Sequence, residues 1–516
     1  MEASRTMKAA KNAGVALGCQ LLAMAFSFVA RTFFVYILGS EYLGVKGLFS
    51  NILTILSFAE LGIGNAIVFS MYRPLATGDR DKLTALLGLY ARAYRIIGLV
   101  IAAAGLAVIP LLGVLIREAP QIRESLTTIY LFFLADTVAS YFFAHKKAVI
   151  TADQRGYIVT LYQSAAQIAV HVLQCAVLYV TRQFLFTLAI QLAFTLLSNA
   201  ALAVRADRLY PDLRDTRGKK LTAAETRGIF RNVRALLLYR LGSAVLNGTD
   251  SILIAALFGL TAVGVSANYL LVTATAVVLL GKVLEAFTAG VGNLNALEGA
   301  ERKRRVFDEL FFIAAWAYGF AAVGMLLTIN DFIRLWLGEA YVLPLGVVFA
   351  ILLHFYVNGV QFAAYTYRTT LGLFVQGRAA PVAAAVINIV ASVLLARRLG
   401  LMGIFLGTSL ARLCTTALVD PILVYGRCFG RSPVPYFLKY AGFMGLFGLF
   451  YVLIGLVLRW IPGTSWPGLF SRILVVTALF NGLMILIFGR TALVQRLAGR
   501  VQHAWNALRR QGGTHL

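Results

Sequence analysis

The stretch Leu38–Leu83 reads LGSEYLGVKGLFSNILTILSFAELGIGNAIVFSMYRPLATGDRDKL. Its centre, 43–72, is a long apolar run, and it ends in a loop carrying Arg73, Arg80 and Lys82. A hydrocarbon core about 30 Å thick needs roughly 20 helical residues at 1.5 Å each. The run is therefore long enough to span a bilayer, and the cations that close it mark a cytoplasmic end. Glu60 lies within it, beside Gly62 and Gly64. A carboxylate there is either a polar group that packs helices or a coupling site.

The same pattern recurs along the chain. Reading for apolar runs gives about fourteen, among them 14–38, 125–147, 157–181, 232–258, 261–289, 309–330, 343–372, 402–426, 437–458 and 470–490. Composition agrees. Of 516 residues, 60% are hydrophobic and 13% charged, against roughly 45–50% and 25% in soluble domains. A soluble protein with so few charges cannot cover its surface, and a disordered chain is not so apolar. The expected fold class is an all-α polytopic membrane protein. At the start, Arg5, Lys8 and Lys11 precede a run without a small-residue cleavage site, which reads as an uncleaved first span.

The net charge is +25, from 47 Lys and Arg against 22 Asp and Glu. Such an excess also suits nucleic-acid binding, but the basic residues are divided among loops separated by spans. Loops with Lys146, Lys147 and Arg155, with the run from Arg205 to Arg234, and with Arg302 to Arg305 alternate with short, nearly neutral ones such as 260–263. The inside-positive bias places both termini in the cytoplasm of a multi-pass protein of the cell inner membrane. It also makes anionic membrane lipids partners and nucleic acid not one. Cys19, Cys175, Cys414 and Cys428 have no paired spacing for a disulfide or a metal. Outside loops are too short for a catalytic domain, and Glu41, Asp331 and Glu339 lack the spacing of a carboxylate pair, so no enzyme is expected. There is no GxxxxGK[ST] phosphate loop.

The chain also echoes itself at an offset of about 220 residues. Lys11-Asn12 falls on Arg231-Asn232, and Gly44-Val45 on Gly264-Val265. The expected organisation is an N-lobe of six spans over 1–204, a basic linker at 205–231 and a C-lobe of six spans over 232–426. Two peripheral helices and a basic tail follow at 427–516. The repeats are parallel, and transporters built this way hold substrate between the halves.

Polar side chains within spans follow helical spacing. Positions i, i+3, i+7 and i+10 share one face. Arg240, Ser243, Asn247 and Asp250 lie on the seventh span, and His354, Asn358, Gln361, Tyr365 and Arg368 on the tenth. Gln163, Gln167, His171 and Gln174 lie on the fifth, and Gln20, Ser27 and Arg31 on the first. One stripe alone reads as interhelical hydrogen bonding; several over both halves favour a hydrated cavity. Lys282 with Glu285, and Arg412 with Asp420, read as local pairs. Arg31 and Arg240 lack a same-helix acid within one turn and are candidate anion ligands, with Asp250 as counter-ion or proton-coupling carboxylate. His171 and His354 read as ordinary bundle histidines.

Leu38–Leu83, Gly248–Tyr269 (GTDSILIAALFGLTAVGVSANY) and Phe332–Gly338 (FIRLWLG) together resemble the polysaccharide-flippase branch of the multidrug/oligosaccharidyl-lipid/polysaccharide exporter superfamily. The last is similar to an outside loop before the tenth span. The resemblance implies two six-helix lobes in a V that alternates between inward and outward openings. It implies a polyprenyl diphosphate (undecaprenyl type) carrying an oligosaccharide, moved to the outer leaflet for cell-surface polysaccharide biosynthesis, with its tail left in the bilayer. By position, Arg31, Arg240 and Arg368, with Asn247 and Gln361, are the expected substrate ligands, and Asp250 and Glu60 the coupling or counter-ion residues. No cofactor or metal is expected beyond proton or sodium coupling. A monomer is expected, with a polysaccharide polymerase as candidate partner. A doubly charged head group moving outward across 100 mV, inside negative, gains roughly 4–5 kcal/mol. The alternatives are a lipid II flippase for peptidoglycan and a cation-coupled drug antiporter of the same superfamily.

Overall fold

The computed structural model describes residues 2–499 apart from 61–62, 117–119, 154, 214–220, 286, 289–290, 292–293, 295–297, 374–375, 378 and 498. Within its helices, the side chains of 2–17, 58–59, 65, 114, 224 and 228–247 also lie outside the description. The described residues are almost entirely helical and include no strand. That is what hydrocarbon demands, because a backbone without water must satisfy its N–H and C=O groups within its own segment.

The main helices are α1 (Glu2–Leu38), α2 (Ser40–Leu56), α3 (Ile63–Thr77), α4 (Arg80–Val108), α5 (Leu126–Tyr141), α6 (Ala144–Ala152), α7 (Gly156–Thr181), α8 (Phe184–Leu209) and α9 (Ala223–Glu285). They continue with α10 (Ala300–Leu337), α11 (Leu345–Val360), α12 (Phe362–Thr370), α13 (Ala380–Leu399), α14 (Leu401–Cys414), α15 (Thr416–Val424), α16 (Val434–Leu458) and α17 (Trp466–Phe488). Among the described residues, 11 helices are long and apolar enough to cross a membrane, or up to 12 when the bent pair α5 and α6 is one span. The expected second span is divided between α2 and α3 by a 3₁₀ turn at Ser57–Glu60, so neither piece reaches full length. The expected seventh and eighth spans run together as α9, interrupted at Gly259. The FIRLWLG segment, expected as a loop, is helical to Leu337. Gly338 ends it at φ 98°, and Arg334 reaches back to Asp331 at 3.1 Å and on to Glu339 at 2.5 Å.

The start of α9 is set by a capping box. The Thr222 amide and hydroxyl donate to the Glu225 carboxylate at 3.1 and 2.9 Å, and the Glu225 amide donates to Thr222 Oγ1 at 3.3 Å. The helix therefore begins several residues before the apolar run at 232. Lys82 Nζ also reaches Glu225 at 2.6 Å. The lysine's hydrogen bond, followed by those from Thr222, holds the Glu225 carboxyl below its usual range, at about 2.

The sequence echo has a backbone counterpart. Gly39 and Gly259 both take the same left-handed, extended geometry, with φ 86° and ψ −175° against φ 82° and ψ 173°. L side chains rarely adopt it, so both reversals need glycine. Five residues on, the equivalent helices cross. A methyl group at Gly44 would overlap the Leu260 carbonyl oxygen, and one at Gly264 would overlap the Ser40 carbonyl oxygen. The contact is reciprocal. Close by, Asn51 Nδ2 donates to Ser251 Oγ at 2.8 Å. Small residues allow this approach, and side-chain amides strengthen it in lipid.

The chain divides into two compact units, Met1–Ala267 with Pro381–Ile389, and Asn268–Ala380 with Val390–Leu516. In the first, α1 packs along α7, and α4 against α3 and α5. Ion pairs between Arg80 and Asp212, and between Lys146 and Asp207 at 2.5 Å, tie the end of α8 and the segment after it to the helices. In the second unit, the C-terminal helices α16 and α17 pack on α10. Phe307, Phe311, Tyr436, Phe443, Phe447 and Phe480 form much of its core.

Replacing either crossing glycine, by Gly44→Ala or Gly264→Ala, should destabilise the protein by about 1–3 kcal/mol, the usual range for overpacking. In thermal denaturation of purified protein both variants should melt earlier. The double variant should lose less than the sum, because one displacement of the helices relieves both overlaps.

Candidate functional site

The first unit brings three cationic or titratable side chains from three helices together within the membrane. Arg31 on α1 is half-buried, and its Nη1 is buried with no hydrogen-bond partner among the described residues. Lys46 on α2 is exposed, and its ammonium lies 5.4 Å from the centroid of the Phe34 ring, within cation–π range. Lys46 is in turn within coulombic reach of Arg31 and of His171 on α7. His171 Nε2 is 3.4 Å from the Ser27 hydroxyl, one turn before Arg31.

Among the described residues neither Arg31 nor Lys46 forms an ion pair. Glu41 and Glu124 of the same unit have other partners. Glu41 accepts from the Gln121 amide at 2.6 Å, while Glu124 accepts from the Tyr42 hydroxyl at 2.5 Å and from the Phe184 amide at 3.2 Å. Two like charges within coulombic reach, neither balanced by an ion-paired acid, favour an anion. Lys46 lies inside the run 43–72 but belongs to none of the polar stripes of helical spacing, so the sequence reading passes over it. An uncompensated lysine between Val45 and Gly47 was the available signal.

Glu60 is also in the first unit and accepts from the Tyr94 hydroxyl at 2.8 Å. Tyr94 stacks on Tyr90 with centroids 4.3 Å apart, and a methyl group at Gly64 would overlap the Tyr94 hydroxyl. Lys147 is within coulombic reach of Glu60 and donates to Asn199 Oδ1 at 2.9 Å. Thus Glu60 is a carboxylate held by tyrosines with a lysine at some distance. Asp250 is half-buried beside Thr249, whose hydroxyl bonds to Asn388 Oδ1 at 2.8 Å. Arg240, Ser243 and Asn247 have side chains outside the described residues.

The tenth-span stripe has a different use. Its helix breaks between α11 and α12 at Gln361, and the stripe meets a second one at Arg412, Thr416 and Asp420. Arg412 Nη1 donates to Asn358 Oδ1 at 2.6 Å and to Gln361 Oε1 at 3.4 Å. Gln361 Nε2 is 3.4 Å from Thr416 Oγ1. Arg368 Nη1 donates to Asp420 Oδ1 at 2.6 Å, and both side chains are at most 4% exposed. Arg368 and Gln361 are therefore buried and engaged inside the second unit, where sequence placed them as ligands. Asp420 pairs with Arg368 rather than with Arg412. Lys282 and Glu285 do pair, at 2.9 Å on an exposed face.

No family model and no curated protein sequence matches the chain. Solved structures do. An inward-facing multidrug resistance MATE family transporter of the MOP superfamily superposes with a TM-score of 0.62 at 15% identity, covering 80% of this chain and 97% of its own. The MATE multidrug transporter DinF-BH, solved as a complex, gives 0.58 at 15% identity, covering 81% and 97%. A mutant of the Vibrio cholerae MATE transporter VcmN gives 0.54 at 15% identity, covering 83% and 99%. At this identity the likeness is one of fold: the chain is a multi-pass membrane protein with a MATE-like transporter fold.

Removing one partner of the buried pair, by Arg368→Ala or Asp420→Ala, should destabilise the protein by about 3–5 kcal/mol. Replacing both by apolar residues, Arg368→Met with Asp420→Met, should recover most of the loss in a melting experiment. A ligand-binding arginine would show the reverse, with the single variants melting normally.

Proposed function

We propose that the protein is a flippase that moves a polyprenyl-diphosphate-linked oligosaccharide from the inner to the outer leaflet by alternating access, for cell-surface polysaccharide synthesis. The observation that carries this reading is the pair Arg31 and Lys46, two cations on a membrane-spanning unit without an ion-paired carboxylate among the described residues. A diphosphate offers several charged acceptor oxygens to such a pair, and guanidinium suits phosphate geometry better than a point charge does.

In this reading Arg31 and Lys46 hold the head group in the first unit; Arg240 keeps the ligand role, and Asp250 the counter-ion role, that the sequence suggests. Glu60, bonded to Tyr94, is the carboxylate placed to take up a proton or sodium ion when the empty carrier resets. The buried Arg368 and Gln361 leave the ligand set and hold α11, α12, α14 and α15 together. The protein works in the cytoplasmic membrane as a monomer, with its basic loops on anionic lipids and a polysaccharide polymerase as downstream partner. A lipid II flippase would use the same cations on the same diphosphate. A drug antiporter has the fold of the structural neighbours in its favour, but organic cations would be repelled by Arg31 and Lys46.

Arg31→Ala, Lys46→Ala and Arg240→Ala should each lower glycan export at least tenfold in a complementation assay, at unchanged protein level in the membrane fraction. Lys46→Arg should retain most of it. Normal export by both Arg31→Ala and Lys46→Ala would falsify the anion-site reading. Efflux of a cationic dye that survives in the same variants would favour the antiporter.

A further inference from the structure

The polar stripe on α7 is only partly used by the anion site. Gln174 donates to the Thr187 carbonyl on α8 at 2.9 Å, and His171 meets Ser27 on α1 at 3.4 Å. These two are engaged between helices. Gln163 and Gln167 are exposed, and neither amide forms a hydrogen bond among the described residues. All four positions fall within an arc of roughly 80°, so Gln163 and Gln167 share the face that meets α1 at His171.

Helices α1 and α7 run parallel. Ser27 stands at the level of His171, and Phe34, further along α1, packs on Phe184, just past the end of α7. Arg31 lies one turn beyond Ser27. In the opposite direction Gln167 and Gln163 stand about 6 and 12 Å before His171 on α7, at the helical rise per residue. Gln20, half-buried, stands about 10 Å before Ser27 on α1. The three amides thus continue the cation pair as one polar lane in the first unit.

An amide turned to hydrocarbon without a partner is costly. Polar side chains of spans therefore face a bundle interior or a water-filled space. Exposure excludes the first for Gln163 and Gln167, so their face is wet or covered by a ligand.

The chemistry of the lane narrows the occupant. Glutamine offers an acceptor and two donors, which match the hydroxyls and acetamido groups of sugars and give nothing to a lipid chain. No Asp, Glu, Lys or Arg occurs between Gly18 and Ala30 on α1, or anywhere along α7. With Arg31 and Lys46 taken up by a diphosphate, a sugar carboxylate in the lane would be desolvated without a cation, which is costly.

We infer that Gln20, Gln163 and Gln167 form the subsite for the sugars next to the diphosphate, and that those sugars are uncharged. The assignment rests on the polyprenyl-diphosphate reading of the substrate. It adds a class of glycan to that reading: neutral hexoses or N-acetylhexosamines at the lipid end, with acidic sugars confined to positions further out.

The test measures binding to purified full-length protein in nanodiscs with three probes. They are geranylgeranyl diphosphate without sugar, the same lipid bearing a neutral N-acetylhexosamine disaccharide, and the same lipid bearing a disaccharide of uronic acids. The neutral glycolipid should bind at least tenfold tighter than the bare diphosphate, and the acidic one no tighter than it. Gln163→Leu with Gln167→Leu should abolish the advantage of the neutral disaccharide over the bare lipid. Gln167→Lys, which keeps the lane polar and serves even where the leucine variant inserts poorly, should tighten binding of the acidic glycolipid at least tenfold. Equal binding of the neutral and acidic probes, or a neutral-sugar advantage that survives the double leucine variant, overturns the inference. Bare diphosphate that binds while sugars add nothing removes the subsite and leaves the anion site standing. Failure of all three probes to bind, or bare-diphosphate binding that is unchanged in Arg31→Ala, removes the anion-site reading and the subsite with it.

Discussion

A polar group in hydrocarbon has no water to turn to, and this constraint runs through the whole structure. It makes the backbone helical along nearly all of its described length. It commits each polar side chain in a span to a partner on another helix, to a cavity or to a ligand. The tenth-span stripe took the first option. Asn358, Gln361 and Arg368 meet Arg412, Thr416 and Asp420 in a ladder that joins two broken helices. Arg31 and Lys46 have no such ion-paired partner among the described residues, and that contrast is what the proposed anion site rests on.

The helices depend in turn on how closely they approach. Gly44 against Leu260 and Gly264 against Ser40 is one contact made twice. It places α2, which carries Lys46, against the matching part of α9 at backbone distance. The echo at an offset of about 220 residues thus reflects a packing requirement. Gly39 and Gly259 supply the reversal, and Gly44 and Gly264 the crossing. A side chain would strain the backbone at Gly39 or Gly259 and crowd the crossing at Gly44 or Gly264.

Much of this was legible in the residues. Apolar runs, basic loops and the glycine echo are local or regularly spaced signals, and they led to an all-helical membrane protein with a repeat. Helix ends were less clear. The capping box at Thr222 and Glu225 starts α9 ahead of its apolar run, and Arg334 carries α10 through residues that read as a loop. At both ends hydrogen bonds extend a helix into polar sequence, where hydropathy gives no sign of it.

The sequence by itself determined the class of fold, since bilayer thickness and the helical rise leave few ways to bury so much apolar chain. It also showed the glycine echo, because glycines at matching positions answer a backbone demand. Only the tertiary structure decided that the tenth-span stripe is bonded to a second stripe across the helices. A stripe with helical spacing is the same pattern with or without such bonds, and the difference lies in a partner on another helix. For Arg368 that partner is Asp420, 52 residues away. For Arg31 no ion pair stands among the described residues, and Lys46, within coulombic reach, is a second cation.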